Sequence, residues 1–532
     1  MFYCDFTNLK STIMKKQLFF TVIILITFSG FSQYQNIKIS DLGASVSEPS
    51  ITMNPKNTDQ LVAGSNLNKF YTSDDGGYTW SSGTLTSPQY GVWGDPCIIV
   101  DTAGDFYFLH LANPVSGNWI DRIVCQKFDF EAYEWTDGTY MGLNGTKAQD
   151  KEWAVVDSAT NTIYVTWTQF DQYGTSDPNK FSNILFSKST DGGETWSEAL
   201  RINKVSGDCV DSDETTEGAV PTMGPNGEIY VAWSGPAGIV FDRSFDGGDT
   251  WLDEDIFINA QPGGWDYDIS GINRANGLPI TCCDISNSEN NGTIYVNWSD
   301  QRNGIYDTDV WLSKSIDGGN TWTDAIRVND DEAGKQQFFT WMTIDQTTGE
   351  VVIVFYDRRD YDNNNTDVYI ARSSDGGETF ENVKISESPF MPSSSVFFGD
   401  YTNITAHDGK IRPIWARADG TNRSIWIAIV DVTTDLAEPI EKMPYSLEQN
   451  YPNPFSESTY ISYKLRRPSL VSLTVYDMFG RQVAVIINCK NKEAGKYIEQ
   501  FNASDYHINS GVYYFTLQIG NKVEKQKMIL VD

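Results

Sequence analysis

Histidine is nearly missing from this chain, with three in 532 residues, His110, His407 and His507. A histidine-ligated metal centre or a Ser-His-Asp triad needs more than that scattering offers. Basic side chains are scarce as well: 39 Lys and Arg stand against 71 Asp and Glu, a net charge of −32. Such a surface repels phosphate backbones, which excludes nucleic acid as a partner and leaves cation binding or plain solubility. Neither a Gly-x-Gly-x-x-Gly nor a Walker phosphate loop is present. Of the seven cysteines, Cys4 lies in the leading segment. The other six, Cys97, Cys125, Cys209, Cys282, Cys283 and Cys489, match no zinc spacing and read as buried free thiols, with a bridge from Cys209 to Cys282 or Cys283 as the alternative. Helical periodicity is almost absent.

Long apolar runs are lacking too, and the one that exists has a specific shape. Met14-Lys15-Lys16 precedes Leu18 to Phe28, and Gly30-Phe31-Ser32 follows before Gln33. A charged start, a short apolar stretch and small residues at the end form a secretory signal peptide, too short to span a bilayer as a helix. Residues 1–32 are therefore read as an N-terminal extension and signal peptide. Export through the periplasm follows, to a secreted or outer-surface location without a transmembrane anchor after signal removal.

What the chain does have is repetition. The phrases SDDGGYTW (Ser73 to Trp80), STDGGETW (Ser189 to Trp196), SFDGGDTW (Ser244 to Trp251), SIDGGNTW (Ser315 to Trp322) and SSDGGETF (Ser373 to Phe380) share one pattern. Their central acids, Asp75, Asp191, Asp246, Asp317 and Asp375, are 116, 55, 71 and 58 residues apart, so one copy has decayed near Phe128 to Trp135. A period of that size with several short strands per unit signals a propeller. Within the phrase, the carboxylate accepts backbone N–H bonds, the glycines take positive φ and the aromatic packs between sheets. These five acids read as structural. Strands of the type Ile-Tyr-Val-x-Trp recur at Ile163 to Trp167, Ile229 to Trp233 and Ile294 to Trp298, with an alternation that fits half-buried strands. Repeat openings near 48, 95, 152, 217, 279, 340 and 400 predict seven blades over residues 36–433, with six plus an irregular closing sheet as the alternative.

The phrase resembles the Asp box of the sialidase or BNR-repeat superfamily, where it joins the third and fourth strands of a blade. That resemblance implies an all-β, sialidase-like propeller. After a linker at 434–444, residues 445–532 carry NYPNPF (Asn450 to Phe455), LTVYDMFGRQV (Leu473 to Val483) and SGVYYF (Ser510 to Phe515). This order resembles the C-terminal sorting domain of the type IX secretion system of Bacteroidota, which implies a small β-sandwich that engages that machinery.

Two residue sets are expected on one face of the propeller. Acids head the innermost strands at Glu48, Asp95, Glu152, Glu217 and Asp400, aligned by the apolar residues that follow. Like charges around one mouth raise some pKa values or demand a cation, which serves acid catalysis or metal binding. The second set follows the second strands: Asp300, Arg302, Asp357, Arg358, Arg359 and Arg417. Arginine forks suit an acidic sugar, or they tie adjacent blades together through their own aspartates. In the loop after them, Asp360, Asp362, Asn364 and Asp367 offer oxygen ligands for Ca²⁺; no cofactor is otherwise required.

The sialidase resemblance implies glycoside hydrolysis with an arginine triad, a Tyr-Glu nucleophile pair and an assisting Asp. The Arg-Ile-Pro signature of that family is absent here, so no catalytic residue transfers by motif. The expectation is a glycan-acting propeller with Asp95, Glu152, Glu217 and Asp400 as acid and base candidates. The alternative is a non-catalytic propeller that binds a glycan or a cell-surface protein.

Overall fold

The computed structural model describes residues 34–41, 46–129, 133–432 and 445–531, the last span without 448, 466–468, 479, 494, 520 and 521. The signal-peptide reading of 1–32 and the linker at 434–444 lie outside the described residues. Two compact units divide near Asp431.

The first unit consists of antiparallel sheets of four strands, one with a fifth short strand, and a two-stranded insertion. Their innermost strands are Ser50–Met53, Gly94–Val100, Ala148–Val156, Glu217–Met223, Ile280–Cys283, Gln337–Asp345 and Asn403–His407, which head blades 1 to 7 in chain order. Each innermost strand packs against the next, and the last returns to the first, so the sheets close a ring. The closing sheet takes its outer strand from the chain's start, Gln35–Lys38, which pairs with Asn422–Asp431. The propeller therefore begins before residue 36.

Blades bury both faces against their neighbours. The second strands Ile163–Phe170 and Ile294–Asp300 are buried at every residue, including Trp167 and Trp298. Half-burial, expected from their alternation, gives way because residues pointing to opposite faces both meet an adjoining sheet.

The repeated phrases are the turns between third and fourth strands. In blade 4, Ser244 Oγ donates to Asp246 Oδ1 at 2.8 Å and accepts from the Gly248 N–H at 2.9 Å. Thr250 donates to Asp246 through its N–H at 2.9 Å and its hydroxyl at 2.6 Å. Those bonds from Thr250 and Ser244 hold the Asp246 carboxyl down at about 2. Asp75, Asp191, Asp317 and Asp375 repeat the arrangement. Each turn also fits the preceding blade: Trp251 lies 5.1 Å from Phe186 and Trp322 lies 5.2 Å from Phe241. Gly248 has φ +85, and a Cβ there would come within 2.2 Å of the Phe186 ring, so nothing larger fits. Blade 2 lacks the phrase, yet Trp135 packs 5.6 Å from Phe70 of blade 1 in the same role.

The second unit is a sandwich of two antiparallel sheets. Its core joins Phe455, Ile461, Tyr463, Leu473, Val475, Phe515 and Leu517. None of the six described cysteines is bridged; five lie in the propeller, and Cys489 is exposed in the sandwich. No described helix is long and apolar enough to cross a membrane.

Candidate functional site

Innermost strands begin with a bulge, and the bulge positions the charges. Pairing shifts between Gly94 and Cys97, Asp150 and Trp153, Glu217 and Val220, and Phe338 and Trp341. In each shift one residue takes positive φ: Asp95 at +54, Lys151 at +53, Gly218 at +76 and Phe339 at +51. A β-bulge re-aims side chains toward the end of a sheet. The aligned acids consequently do not share one register position. Asp95 takes the positive-φ place of its bulge, whereas Glu217 stands one residue before that place and Glu152 one residue after it.

Below the bulges an aromatic group crosses the axis. Trp153 of blade 3 lies 4.2 Å from Trp341 of blade 6, and Tyr401 of blade 7 lies 5.1 Å from Trp153. Beneath it the axial channel, about 350 Å³, is lined by all the innermost strands.

Above it the charges converge. Lys151 Nζ donates to Asp400 Oδ2 at 2.7 Å and to Asp95 Oδ2 at 3.2 Å. Arg274, from the insertion between blades 4 and 5, donates through Nε to Asp400 Oδ1 at 2.9 Å and through Nη2 to Asp400 Oδ2. Its Nη1 reaches Asp211 Oδ2 at 3.3 Å, and the same oxygen accepts the Tyr173 hydroxyl. Asn276 Nδ2 donates to the Asp400 carbonyl at 2.9 Å.

Protonation divides within this cluster. Burial would raise Asp400, but Lys151 and Arg274 outweigh it and hold the carboxyl well below the usual range. Burial pushes Asp150 up to about 7, with Asp95 and Asp211 adding to it and Lys151 opposing. Glu48, Glu152 and Glu217 are driven upward by burial first and by neighbouring acids second. Both carboxyl oxygens of Glu152 and of Glu217 are buried without a hydrogen-bond partner, as is Glu48 Oε1. An isolated buried carboxylate is far costlier than a neutral acid, so burial favours the protonated form of Glu152 and Glu217, while Glu48 Oε2 still accepts from Asn66 Nδ2.

The rim is aromatic. Trp119 lies 5.7 Å from Trp93 and 5.5 Å from Tyr173, and both tryptophans are exposed. A cavity of about 30 Å³ adjoins Lys151 and Asp400, with room for roughly one water.

The arginines expected here sit elsewhere. Arg302 pairs with Asp300 and reaches Asn259, Arg359 pairs with Asp357 and Asp330, and Arg417 pairs with Asp419 and bonds Ser388. Arg358 is buried against Phe338 and donates to Thr366 Oγ1 and the Ser270 carbonyl; burial lowers it to about 10. None of the four bonds a carboxyl of the axial cluster. The four oxygen residues of the following loop are also not gathered. Asp362 pairs with Lys335, Asn364 faces Arg358, Asp360 lies by Lys384, and Asp367 accepts from Tyr361 and Ser386. Among the described residues no cluster of three or more His, Cys, Asp or Glu is arranged to hold a metal.

Lys151, Arg274, Asp150, Asp211 and Tyr173 were not singled out by sequence. The 71-residue interval between Asp246 and Asp317 carried a signal, because the insertion that delivers Arg274 lies inside it.

A sequence search of curated proteins gives no match. Similar solved structures include an ulvan lyase from a new polysaccharide lyase family, 12% identical over 75% of this chain and 96% of that one, TM-score 0.46. A Penicillium chrysogenum alpha-L-arabinanase is 12% identical over 75% and 98%, TM-score 0.41. A Dyadobacter fermentans protein of unknown function is 10% identical over 75% and 98%, TM-score 0.43. Likeness this distant says nothing of what a site does. Residues 449–531 match the family described as the secretion system C-terminal sorting domain. The second unit is thus a type IX sorting domain, and it addresses the chain to the cell surface or the medium.

Proposed function

We propose that the propeller acts on glycans at the axial mouth, as a glycoside hydrolase. The observation that carries this reading is the split within one cluster: Asp400 held well below the usual carboxyl range, Asp150 raised to about 7, and Glu48, Glu152 and Glu217 driven upward by burial. Carboxyl groups whose pKa values are pushed apart supply the acid and the base that glycosidic cleavage needs. Asp150 is the general acid, and Asp95, the most exposed of the sequence candidates, is the base or nucleophile. Asp400 positions Lys151, while Glu152 and Glu217 lie buried behind them. Trp93 and Trp119 offer faces on which a sugar ring stacks.

Burial favours a second reading. With Glu152, Glu217 and Asp400 almost closed to solvent, the mouth also suits non-catalytic capture of a glycan or a surface partner.

A panel of sialylated, uronic-acid and neutral glycans, assayed on the full chain, tests both. Hydrolysis should fall by roughly 10²-fold or more in Asp150→Asn while glycan retention persists. Unchanged turnover in that variant would remove the assigned acid. Retention without turnover in the parent protein would select the second reading.

A further inference from the structure

Blades 5 and 6 close the corner between their second and third strands with charge, and blade 3 lacks the residues to do so. In blade 5, Asp300 faces Asp309 across the two strands. Arg302 pairs with Asp300 and lies 4.3 Å from the Trp311 ring centre, while Arg327 pairs with Asp309. Blade 6 repeats this: Asp357 faces Asp367, Arg359 pairs with Asp357 and lies 4.2 Å from Tyr369, and Lys384 pairs with Asp367. Two acids, two cations and a ring fill each corner. Counted from Trp167 and its partner Leu185, the same places in blade 3 hold Gln169 and Asn183 for the acids, Asp171 and Arg201 for the cations, and Leu185 itself for the ring.

With amides in place of acids and a leucine in place of the ring, the corner stays open. A groove of about 740 Å³ lies there, walled on its other side by Met141 to Asn144 of blade 2. That is the size of a ligand site. Asp171 turns to Lys147 at 2.8 Å and accepts the Phe181 N–H at 3.0 Å, and Arg201 donates to the Asn203 and Lys204 carbonyls at 3.0 Å each, so no cation spans the groove. Polar atoms are left over. Asn183 Oδ1 accepts from Ser206 at 2.8 Å and Asn203 at 3.3 Å, while its Nδ2 has no partner among the described residues. Asn144 Nδ2 donates to Gln169 Oε1 at 3.1 Å, which leaves Asn144 Oδ1 as an acceptor, and the Lys147 ammonium keeps further protons to donate. Phe181 is 44% exposed and shares a strand face with Asn183 and Leu185. The charges that line the groove balance, Lys147 and Arg201 against Asp171 and Glu198.

We propose that the groove between blades 2 and 3 binds a neutral oligosaccharide, with Asn183 and Lys147 donating to its hydroxyls, Asn144 accepting from them and the Phe181 ring lying against a sugar face. Hydroxyls donate and accept at once, which suits side chains that offer both in a groove without net charge. An acidic glycan is disfavoured, because Lys147 is already paired and the Arg201 fork is spent on carbonyls. None of the axial charges or rim tryptophans lines this groove, so the site does not depend on the reading given for the mouth.

Calorimetric titration of the full chain with cellohexaose, xylohexaose, laminarihexaose and mannohexaose tests this, with hexagalacturonate as the charged control and hydrogen exchange to locate the contact. At least one neutral sugar should bind saturably, about tenfold or more tighter than hexagalacturonate. It should slow exchange in residues 142–147 and 181–206, which wall the groove. Phe181→Ala should weaken that binding by about tenfold, the loss of a stacked ring. Asn183→Ala should weaken it by about fivefold, the loss of one hydrogen bond. The exchange pattern of the parent chain reads the site even where a variant folds poorly. No saturable binding of any of the four neutral sugars, hexagalacturonate bound as tightly, slowed exchange confined to the surroundings of Trp93, Trp119 and Tyr173, or undiminished binding in both variants would overturn the site.

Discussion

Glu217 and Asp400 both stand at the heads of innermost strands, yet their carboxyl groups are shifted in opposite directions. Glu217 has neither a hydrogen-bond partner nor a nearby cation that outweighs its burial, so its carboxyl is driven upward, toward the neutral form. Asp400 receives Lys151 and the fork of Arg274 and is ionised. Glu217→Gln replaces one neutral group by another of similar shape and should change stability by less than about 1 kcal/mol at pH 7. Asp400→Asn strands two buried cations and should cost about 3–5 kcal/mol. Urea denaturation of the two variants checks this, and similar losses in both would contradict the assigned protonation. No local pattern distinguishes these two acids in sequence, because the cations that hold Asp400 down, Lys151 and Arg274, lie 249 and 126 residues away from it.

At the level of elements, the Ser-x-Asp-Gly-Gly turns were legible because the bonds of their serine and aspartate side chains close within eight residues, as from Ser244 to Thr250 in blade 4. The bulges were not, since a register shift exists only relative to the neighbouring strand, and an alignment by apolar residues misplaces Glu217 and Glu152 by one position in opposite directions. The arginines following the second strands were found by motif, but their direction was open. Own-strand aspartates two residues away hold Arg302 and Arg359 at the blade corners. The strand Gln35–Lys38 completes the last sheet, as it covers the edge of Asn422–Asp431. A chain starting after Ser40 should show a lower Tm and concentration-dependent light scattering, because an uncovered strand edge templates association. An unchanged Tm and a monodisperse product would show that the ring is held by blade-to-blade packing alone.

For the molecule as a whole, the axial cluster makes stability depend on pH. Asp150, Glu48, Glu152 and Glu217 have folded-state pKa values above the unfolded ones, near 4. The folded state therefore binds more protons than the unfolded state above pH 4, and stability declines as pH rises from there through about 7, where Asp150 titrates. Asp400 acts oppositely, and its contribution is lost only as pH falls below about 4. The Tm should thus be higher at pH 5 than at pH 8, and the difference should shrink in a Glu152→Gln/Glu217→Gln double variant. A Tm that rises from pH 5 to pH 8 would exclude neutral buried acids at the axis.

By itself the sequence determined what is encoded over short spans: the turns around Asp75, Asp191, Asp246, Asp317 and Asp375, the strand repeats that set an all-β propeller, and the sorting domain at 449–531. Backbone bonding and alternation act between near neighbours, so their pattern survives in the order of residues. Only the tertiary structure decided which acids burial raises and which one the cations hold down, and that Lys151 and Arg274 supply those axial cations. Protonation and cavity shape depend on burial and on groups that only the closed ring brings together.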